Sequence, residues 1–299
     1  MNKYIENAQW HRINNRIDEI DDLDMSTFKQ NKSLFIFATW APERFGIYYL
    51  KTLLSLMARN LSEADYKLLD KIKNRTFGAP LTTRVNGRDV CLDYMQAITE
   101  AKFIGDVGNQ VQRIVEIGAG YGRTCHTLLS LYEHIDEYVI IDLHACLDLS
   151  KKYLSNVLSA EVFAKIRFVK NTECEEYFAS TKAVPTLAVN CDSIGEMDKK
   201  VSRSYLSLIE QNADYFYSCN PVAKYLPSCF GEVDTDPDIV KDSLSAGLIT
   251  EAINVFDDEV VQASIPTYLE TLNPSKSWEV TRFKVAEMYT YYVHVLYTK

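Results

Sequence analysis

A glycine-rich stretch between residues 115 and 123 contains the residues of this sequence that are best suited to bind a ligand. It reads VEIGAGYGR, follows a short apolar run and precedes a helical pattern. Glycines at such a position let the backbone turn sharply and approach a ligand, and the beginning of a helix offers free N–H groups. We therefore expect this stretch to contact a nucleotide-like ligand.

The spacing of the glycines separates two classes of ligand. A dinucleotide pyrophosphate is bound by G-x-G-x-x-G, in which the third glycine lets the helix pack closely on the strand. Counted from Gly118, that third position is the bulky, charged Arg123. The spacing here is G-x-G-x-G preceded by Glu116, a pattern typical of S-adenosylmethionine-dependent methyltransferases. An oxidoreductase is the alternative that this spacing disfavours.

A carboxylate at the end of the next apolar run fits a nucleoside ligand. The run YVIID spans residues 138–142 and ends in Asp142. At the carboxyl end of the second strand of a doubly wound sheet, an acidic side chain can accept hydrogen bonds from the ribose hydroxyls. We therefore expect Asp142 to bind the ribose.

The elements that position these residues alternate between strands and helices after residue 108. The predicted strands are RIVEI (113–117), YVIID (138–142), IRFVK (166–170), TLAVN (186–190) and DYFYSC (214–219), with helices after Gly122 and over 144–158 and 198–212. This alternation predicts an α/β fold with a parallel sheet that is covered on both faces. The final runs, WEVTRFKV (278–285) and YTYYVHVLY (289–297), predict an antiparallel hairpin.

We predict two parts of the chain. Residues 1–108 form a mainly helical region, with helical spacing over 43–73, a helix start at Ser62, a break at 76–80 and a helix over 92–104. Residues 109–299 form the ligand-binding domain, with an insertion at about 222–275 that contains one helix near 239–256. Because the N-terminal region and the insertion lie outside the sheet, we expect them to cover the site and to select the acceptor.

Composition excludes several classes of protein. The chain has 299 residues, of which 47% are hydrophobic and 24% charged, and a net charge of −9. This is the balance of a soluble globular protein, and no run of Lys and Arg offers a nucleic-acid surface. The 7 cysteines include no CxxC pair, which favours reduced thiols and a cytoplasmic location. The most apolar stretch, residues 34–41, is too short to span a membrane, and the first residues lack a signal-peptide core.

Three segments resemble the bacterial sugar O-methyltransferases, a family of S-adenosyl-L-methionine-dependent class I methyltransferases. They are EIGAGYGR (116–123), YVIIDLHACLDLSKKYLS (138–155) and NCDSIGEMDKKVSRSYLSLIEQNADYFYSCNPVAKYLP (190–227). The similarity is good over about 110–227, weaker before 110 and thin over 228–275, and SIGEM and YFYSCNP are the parts that indicate this family. The resemblance implies a Rossmann-like class I methyltransferase fold and S-adenosylmethionine as cofactor.

The resemblance also implies which residues bind the cofactor. Backbone groups of residues 118–120 would surround the methionine part, and Glu116 would fix the loop or the ammonium group of the ligand. Asp142 would bind the ribose, with Leu143 beside the adenosine. The implied cofactor-binding set is Glu116, Gly118, Ala119, Gly120, Gly122, Asp142, Leu143, Asn171, Thr172 and Asn190.

Acidic residues after the fourth predicted strand are the candidates for a catalytic base. Ligands of an open α/β sheet bind beyond the carboxyl ends of its strands, so this loop should face the reacting methyl group. A sugar hydroxyl is a poor nucleophile near neutral pH, and Glu196 or Asp192 would accept its proton. The alternative is that one of these acids caps the helix beginning near Asp198. Asn220 and Tyr225, at the next strand end, would orient the acceptor.

Other reactive residues have weaker support. His126 and His144 are alternative bases, but an isolated histidine is more often a surface or hydrogen-bonded residue. Cys191 and Cys219 are expected to be buried, because no partner base for a thiol nucleophile can be placed. No cluster of His, Asp and Glu has convincing metal-ligand spacing, so no metal is predicted.

The function that the sequence favours is O-methylation of a hydroxyl on a sugar or a glycosylated small molecule. If the acceptor is a nucleotide-sugar, the basic residues that would hold its phosphate are Arg44, Arg84, Arg88 and Lys224, for which solvated surface charge is the alternative. Two other functions stay open: methylation of a non-sugar secondary metabolite, and a non-catalytic S-adenosylmethionine-binding module. The sequence predicts no nucleic-acid partner and is compatible with a homo-oligomer.

Overall fold

A large mixed sheet forms the centre of the protein, whose computed structural model describes residues 5–20, 22–30, 44–230 and 236–299. The strands are β1 Thr82–Val85, β2 Arg88–Cys91, β3 Arg113–Ile117, β4 Glu137–Asp142, β5 Ile166–Lys170, β6 Thr186–Cys191, β7 Tyr215–Pro221, β8 Glu279–Val285 and β9 Tyr292–Thr298. Seven of them form the large sheet in the order β5-β4-β3-β6-β7-β9-β8, and β1 pairs with β2 separately. The order reverses between β3 and β6, and such a reversal opens a crevice for a ligand.

The directions of the strands confirm the predicted fold class. Strands β3 to β7 pair in parallel, whereas β9 is antiparallel to both β7 and β8. The residues of β3 and the middle residues of β4, β6 and β7 are buried, as expected for strands that are covered on both faces. The protein is therefore a Rossmann-like α/β fold that ends in an antiparallel hairpin.

Helices surround the sheet. They are α1 Ala8–Asp18, α2 Arg44–Arg59, α3 Glu63–Lys71, α4 Leu92–Ile104, α5 Val107–Gln110, α6 Arg123–Leu131, α7 His144–Val157, α8 Ala160–Phe163, α9 Cys174–Ser180, α10 Lys199–Asn212, α11 Pro237–Ser245 and α12 Asp258–Thr271. Within the described ranges, none of them combines the length and the apolar character needed to cross a bilayer. The apolar stretch at 34–41 lies outside the described residues.

The N-terminal part contains the predicted helices and one hairpin that was not predicted. Helix α3 begins at Ser62 through a capping box with Asp65, and α4 has the predicted bounds. The hairpin of β1 and β2 turns at Asn86 and Gly87, which both have positive φ angles (50° and 74°). This pair of angles is the signature of an Asn-Gly hairpin turn, so the sequence did contain the signal.

The insertion differs from its prediction. Instead of one helix near 239–256, it contains α11 and α12, separated by a turn at Gly247. The φ angle of Gly247 is +76°, and a Cβ there would lie 2.3 Å from the carbonyl oxygen of Gly195. Helix α11 therefore ends because the backbone turns at Gly247 and packs against the loop of residues 191–197. Strand β9 also begins later than predicted, since residues 289–292 form a turn.

Candidate active site

A cavity of about 550 Å³ lies at the carboxyl ends of β3, β4 and β6. Its wall includes residues of the glycine-rich loop, the ends of these strands, the 191–197 loop, helices α1 and α4, and tyrosines that precede or begin β9. The volume falls in the range of small-molecule and cofactor sites. The cavity lies where a doubly wound sheet binds its ligand.

The glycine-rich loop contacts the 191–197 loop closely. Gly118 has a φ of +75°, and a Cβ at this position would lie 2.2 Å from Ser193 Oγ. Gly118, Ala119 and Gly120 all line the cavity. Gly122, in contrast, does not line it, and instead begins α6 with a φ of +95° and packs against Leu154. The structure therefore places Gly122, which was predicted to bind the cofactor, behind the cavity wall, where it shapes the loop.

Asp142 is held in place by the backbone at the end of β4. The N–H of Gly120 donates to Oδ2 (3.0 Å), and the N–H of Leu143 donates to Oδ1 (2.8 Å). Burial raises the pKa of Asp142 to about 6, although these backbone hydrogen bonds act to lower it. Both Asp142 and Leu143 line the cavity, as does Asn171 after β5, whereas the exposed Thr172 does not.

Glu116 lies at the floor of the cavity on β3. Its side chain is buried, and Oε2 accepts a hydrogen bond from the hydroxyl of Tyr138 (2.8 Å). Burial raises the pKa of Glu116 to about 7, while the hydrogen bond from Tyr138 acts to lower it. Glu116 therefore holds its proton to higher pH than an ordinary carboxyl group, and it lines the cavity.

Asn190 and Asn220 do not line the cavity, contrary to the prediction for both residues. Asn220 Nδ2 donates to Asn190 Oδ1 (2.9 Å), and Asn190 Nδ2 donates to the carbonyl oxygen of Ile117 (2.9 Å). The backbone N–H of Ser193 donates to Asn220 Oδ1 (3.1 Å). This buried amide pair therefore joins the end of β3 to the 191–197 loop, and it supports the site from below.

Asp192 lies at the head of the 191–197 loop and reaches the interior of the cavity. Its φ of +52° is unusual for a residue other than glycine, and its Oδ1 accepts a hydrogen bond from the hydroxyl of Tyr292 (2.6 Å). Although Asp192 is exposed to the open cavity, partial desolvation by the surrounding protein raises its pKa to about 6, against the effect of the Tyr292 hydrogen bond. Backbone strain of this kind occurs most often at functional sites.

Glu196 lies beside Asp192 and has the more perturbed carboxyl group. Burial, followed by the negative charge of Asp192, raises the pKa of Glu196 to about 8, while Lys224 and a hydrogen bond from Trp10 act to lower it. Neither acid caps the following helix, since the cap of α10 is Asp198, whose side chain accepts from the N–H of Lys200. The capping alternative is therefore wrong for both residues.

Tyrosine rings form the wall opposite the glycine-rich loop. Tyr225, Tyr289 and Tyr292 line the cavity, and Tyr291 packs behind them, with its ring centre 5.3 Å from that of Tyr225 and 5.0 Å from that of Tyr292. Of this group, only Tyr225 was a predicted site residue. Aromatic faces at this position can cover the apolar face of a sugar or attract a cation.

Helix α1 covers the cavity. Asn7 caps the helix through its side chain and also donates a hydrogen bond to the carbonyl oxygen of Glu196. Trp10 lines the cavity, and Arg12 forms an ion pair with Asp242 of α11 (2.9 Å). Residues 1–108 were expected to cover the site, but none of these residues was singled out, because nothing in the local sequence connects residues 7–12 with the 191–197 loop.

A buried ion pair lies under the cavity wall. Lys29 Nζ is 3.1 Å from Asp93 Oδ2, and the hydroxyl of Tyr121 donates to the same oxygen (2.7 Å). Burial is the largest effect and acts to raise the pKa of Asp93, but the Lys29 charge together with hydrogen bonds from Cys91, Tyr121 and Lys29 holds the pKa below its ordinary value. Asp93 also lines the cavity, so this pair fixes one wall of the site.

Of the remaining candidates from the sequence, only Cys191 lines the cavity. His126 is buried and bonded to the hydroxyl of Tyr94 (2.5 Å), and burial lowers the pKa of this histidine to about 3. His144 is exposed and pairs with Asp148. Cys219 is buried and Cys191 lines the cavity, and burial raises the pKa of both thiols. Among the described residues, no group of three His, Cys, Asp or Glu is arranged to hold a metal ion.

Comparison with known proteins finds similarity only among solved structures. No protein-family model and no curated protein matches this chain. The O-methyltransferase from Bacillus cereus in complex with S-adenosylhomocysteine is similar at 9% identity and a TM-score of 0.48, covering 85% of this chain and 100% of that one. The O-methyltransferase TomG from Streptomyces achromogenes, involved in tomaymycin synthesis, is similar at 12% identity and a TM-score of 0.45, covering 87% of this chain and 100% of that one.

Proposed function

We propose that this chain is an S-adenosylmethionine-dependent O-methyltransferase that methylates a hydroxyl group of a sugar or a glycosylated small molecule. The observation that carries the proposal is the presence, in one cavity, of the glycine-rich loop, the carboxylate of Asp142 and the acidic pair Asp192 and Glu196. The first two suit an adenosyl ligand, and the third suits proton removal from an acceptor.

The residues of the cavity fit the cofactor. Backbone hydrogen bonds fix the carboxylate of Asp142 at the cavity wall, at the strand end from which it can accept hydrogen bonds from the two ribose hydroxyls. The loop from Gly118 to Gly120 would surround the methionine part, and Glu116 would face its ammonium group. When bound, S-adenosylmethionine supplies a methyl group on a sulfonium, whose transfer to an oxygen leaves the bonding electron pair on sulfur.

Glu196 is the proposed general base. It would accept the hydroxyl proton of the acceptor as the oxygen forms its bond to the methyl group, and a base with a raised pKa is well matched to this task near neutral pH. Asp192, fixed by Tyr292, would orient the acceptor through a second hydrogen bond. The tyrosine wall and helix α1 would exclude water and align the reacting groups.

The cysteines favour a reducing compartment. All 7 cysteines of the chain are free thiols in the structure, and we place the protein in a reducing compartment such as the cytoplasm. We further propose that the N-terminal region, residues 1–108, acts as a cover that selects the acceptor for the domain at 109–299.

The test is to measure cofactor binding and turnover separately in matched variants. Glu196→Gln should lower turnover by about 10²–10⁴-fold, the range for a lost general base, and Asp192→Asn should lower it less. Both should bind S-adenosylhomocysteine, measured by calorimetry, within about twofold of the unchanged protein, because the two carboxyl groups are proposed to act on the acceptor and not on the cofactor. Asp198→Asn, which keeps a good helix cap outside the cavity, is the control and should leave both quantities unchanged.

Two results would contradict the proposal. Full activity in both Glu196→Gln and Asp192→Asn would remove the assigned base. Binding of S-adenosylhomocysteine without methyl transfer to any hydroxylated acceptor would favour the non-catalytic binding module instead.

A further inference from the structure

The charges around the cavity are unequally distributed. Six carboxyl groups line it, those of Glu6, Asp93, Glu116, Asp142, Asp192 and Glu196. Among the described residues, the one basic side chain in the same wall is Arg123. An acceptor that enters this cavity therefore meets an excess of acidic groups.

The neighbouring basic groups are already paired. The guanidinium of Arg123 donates to Glu100 Oε1 (2.8 Å) and to the carbonyl oxygen of Asp93 (3.1 Å). Lys29 is paired with Asp93. Lys224 lies behind the wall, where its Nζ donates to the carbonyl oxygen of Gly195 (2.6 Å). Its single positive charge offsets only one of the two carboxylates that it faces, Asp192 and Glu196.

The basic residues proposed from the sequence to hold a phosphate do not reach the cavity. Arg88 forms ion pairs with Asp70 (2.9 Å) and Glu63 (3.6 Å), and Arg84 pairs with Asp89 (3.7 Å). Both belong to the β1–β2 hairpin, which does not line the cavity. The side chain of Arg44 lies outside what the structure describes. A phosphate beside Asp192 and Glu196 would therefore face two acidic groups and the single cation of Lys224, and the excess of acidic groups would repel it.

The acceptor end of the cavity suits a positive charge instead. Asp192 and Glu196 lie together there, and the rings of Tyr225, Tyr289 and Tyr292 form the adjacent wall. Carboxylates and aromatic faces both stabilise an ammonium group, the more strongly where bulk water is displaced. We propose that the acceptor is a hydroxylated amine, such as an amino sugar, whose ammonium group binds at Asp192 while a neighbouring hydroxyl is methylated.

This inference rests on the proposed function and explains how substrate binding prepares the base. The negative charge of Asp192 is one cause of the raised pKa of Glu196. An ammonium group at Asp192 neutralises that charge, so the pKa of Glu196 falls and more of the carboxyl becomes ionised. Only the ionised form can accept the hydroxyl proton. A neutral or phosphorylated acceptor lacks this effect.

The experiment compares acceptors that differ only in charge. Protein saturated with S-adenosylhomocysteine is titrated calorimetrically with glucosamine, glucose, N-acetylglucosamine and glucose 6-phosphate, at a pH below the pKa of the amine. We expect glucosamine to bind at least about tenfold more tightly than glucose or N-acetylglucosamine, and glucose 6-phosphate to bind most weakly. In Asp192→Asn the preference for the amine should fall below about threefold, whereas Asp198→Asn should retain it.

The outcomes separate this inference from the proposed function. If S-adenosylhomocysteine binds but glucosamine binds no better than glucose, the amine subsite is refuted and the methyltransferase proposal stands. The same holds if Asp192→Asn keeps the full preference, because the ammonium group then binds elsewhere. If S-adenosylhomocysteine itself does not bind, both proposals fall, since the subsite is defined beside the cofactor.

Discussion

Gly118 provides a quantitative test of how closely the glycine-rich loop packs against the 191–197 loop. Its φ of +75° lies in the left-handed region, which costs a residue with a Cβ about 1–2 kcal/mol. The added Cβ would also lie 2.2 Å from Ser193 Oγ and 2.6 Å from Ser193 Cβ, and overpacking of this kind costs about 1–3 kcal/mol. We expect Gly118→Ala to lower the free energy of unfolding by about 2–5 kcal/mol.

Gly87 supplies a matched control for the backbone contribution. Its φ is +74°, almost the same, but a Cβ there meets no described atom within 4 Å. Gly87→Ala should therefore lose only about 1–2 kcal/mol. Urea unfolding at unchanged m-value measures both losses. Adding Ser193→Gly to Gly118→Ala removes the side chain that the new Cβ would meet. The double variant should therefore recover part of the extra loss in the free energy of unfolding that Gly118→Ala shows relative to Gly87→Ala. Equal losses in the two alanine variants, or no recovery in the double variant, would refute the packing argument.

Three further predictions concern the buried charges. If Glu196 is the base, kcat/KM should rise with pH up to about 8 and then level off. Asp192→Asn should move the midpoint of this rise to lower pH, because it removes a charge that raises the pKa of Glu196. A pH profile that is flat through this range would exclude Glu196 as the base. For Glu116, a folded-state pKa raised to about 7 means that its contribution to stability is fully present below the unfolded value and is lost as the pH rises through about 7. Glu116→Gln should thus be more stable than the unchanged protein by up to about 3 kcal/mol above that pH and similar in stability in acid, as measured by urea unfolding at both pH values; a loss at high pH would contradict this. Lys29→Met should lower the free energy of unfolding by about 3–5 kcal/mol, because it leaves Asp93 buried without its cation. The double variant Lys29→Met with Asp93→Leu should recover much of that loss in the same urea assay. Equal losses in the single and double variants would show that the ion pair is not the cause.

The central sheet was predictable because its signals are local. The predicted runs at 113–117 and 166–170 have the bounds of β3, which is buried throughout, and of the edge strand β5, in which Ile166 and Val169 are buried. The start of α3 at Ser62 was predictable for the same reason, since a capping box lies within four residues. The hairpin at Asn86-Gly87 also carried a local signal, which the helical character of its surroundings obscured.

The contacts that close the site could not be predicted, because they join distant parts of the chain. Asn7 and Glu196 are separated by 189 residues, and Lys29 and Asp93 by 64. Neither segment of such a pair shows in its own sequence which partner it will meet. The polar residue types could be recognised as needing partners when buried, but only the folded chain identifies those partners.

The two asparagines illustrate a different limit of sequence interpretation. Asn190 and Asn220 both lie at strand ends beside the site, and from position alone they are as suitable for ligand binding as Asp142. The structure instead turns both side chains toward each other and toward the backbone of Ile117 and Ser193. A residue at the edge of a site can therefore bind the ligand or hold the loops that bind it, and spacing does not distinguish the two.

Helix α1, which covers the cavity, is tied to helix α11 by the ion pair of Arg12 and Asp242, which are 230 residues apart. Both helices belong to segments outside the sheet, so the position of the cover depends on a distant part of the chain. Recombination that brings in a new N-terminal segment from a related protein would leave Asp242 without its partner. Efforts to redirect the protein toward another acceptor should accordingly transplant residues 5–18 and 237–245 from the same parent, as a single exchangeable unit.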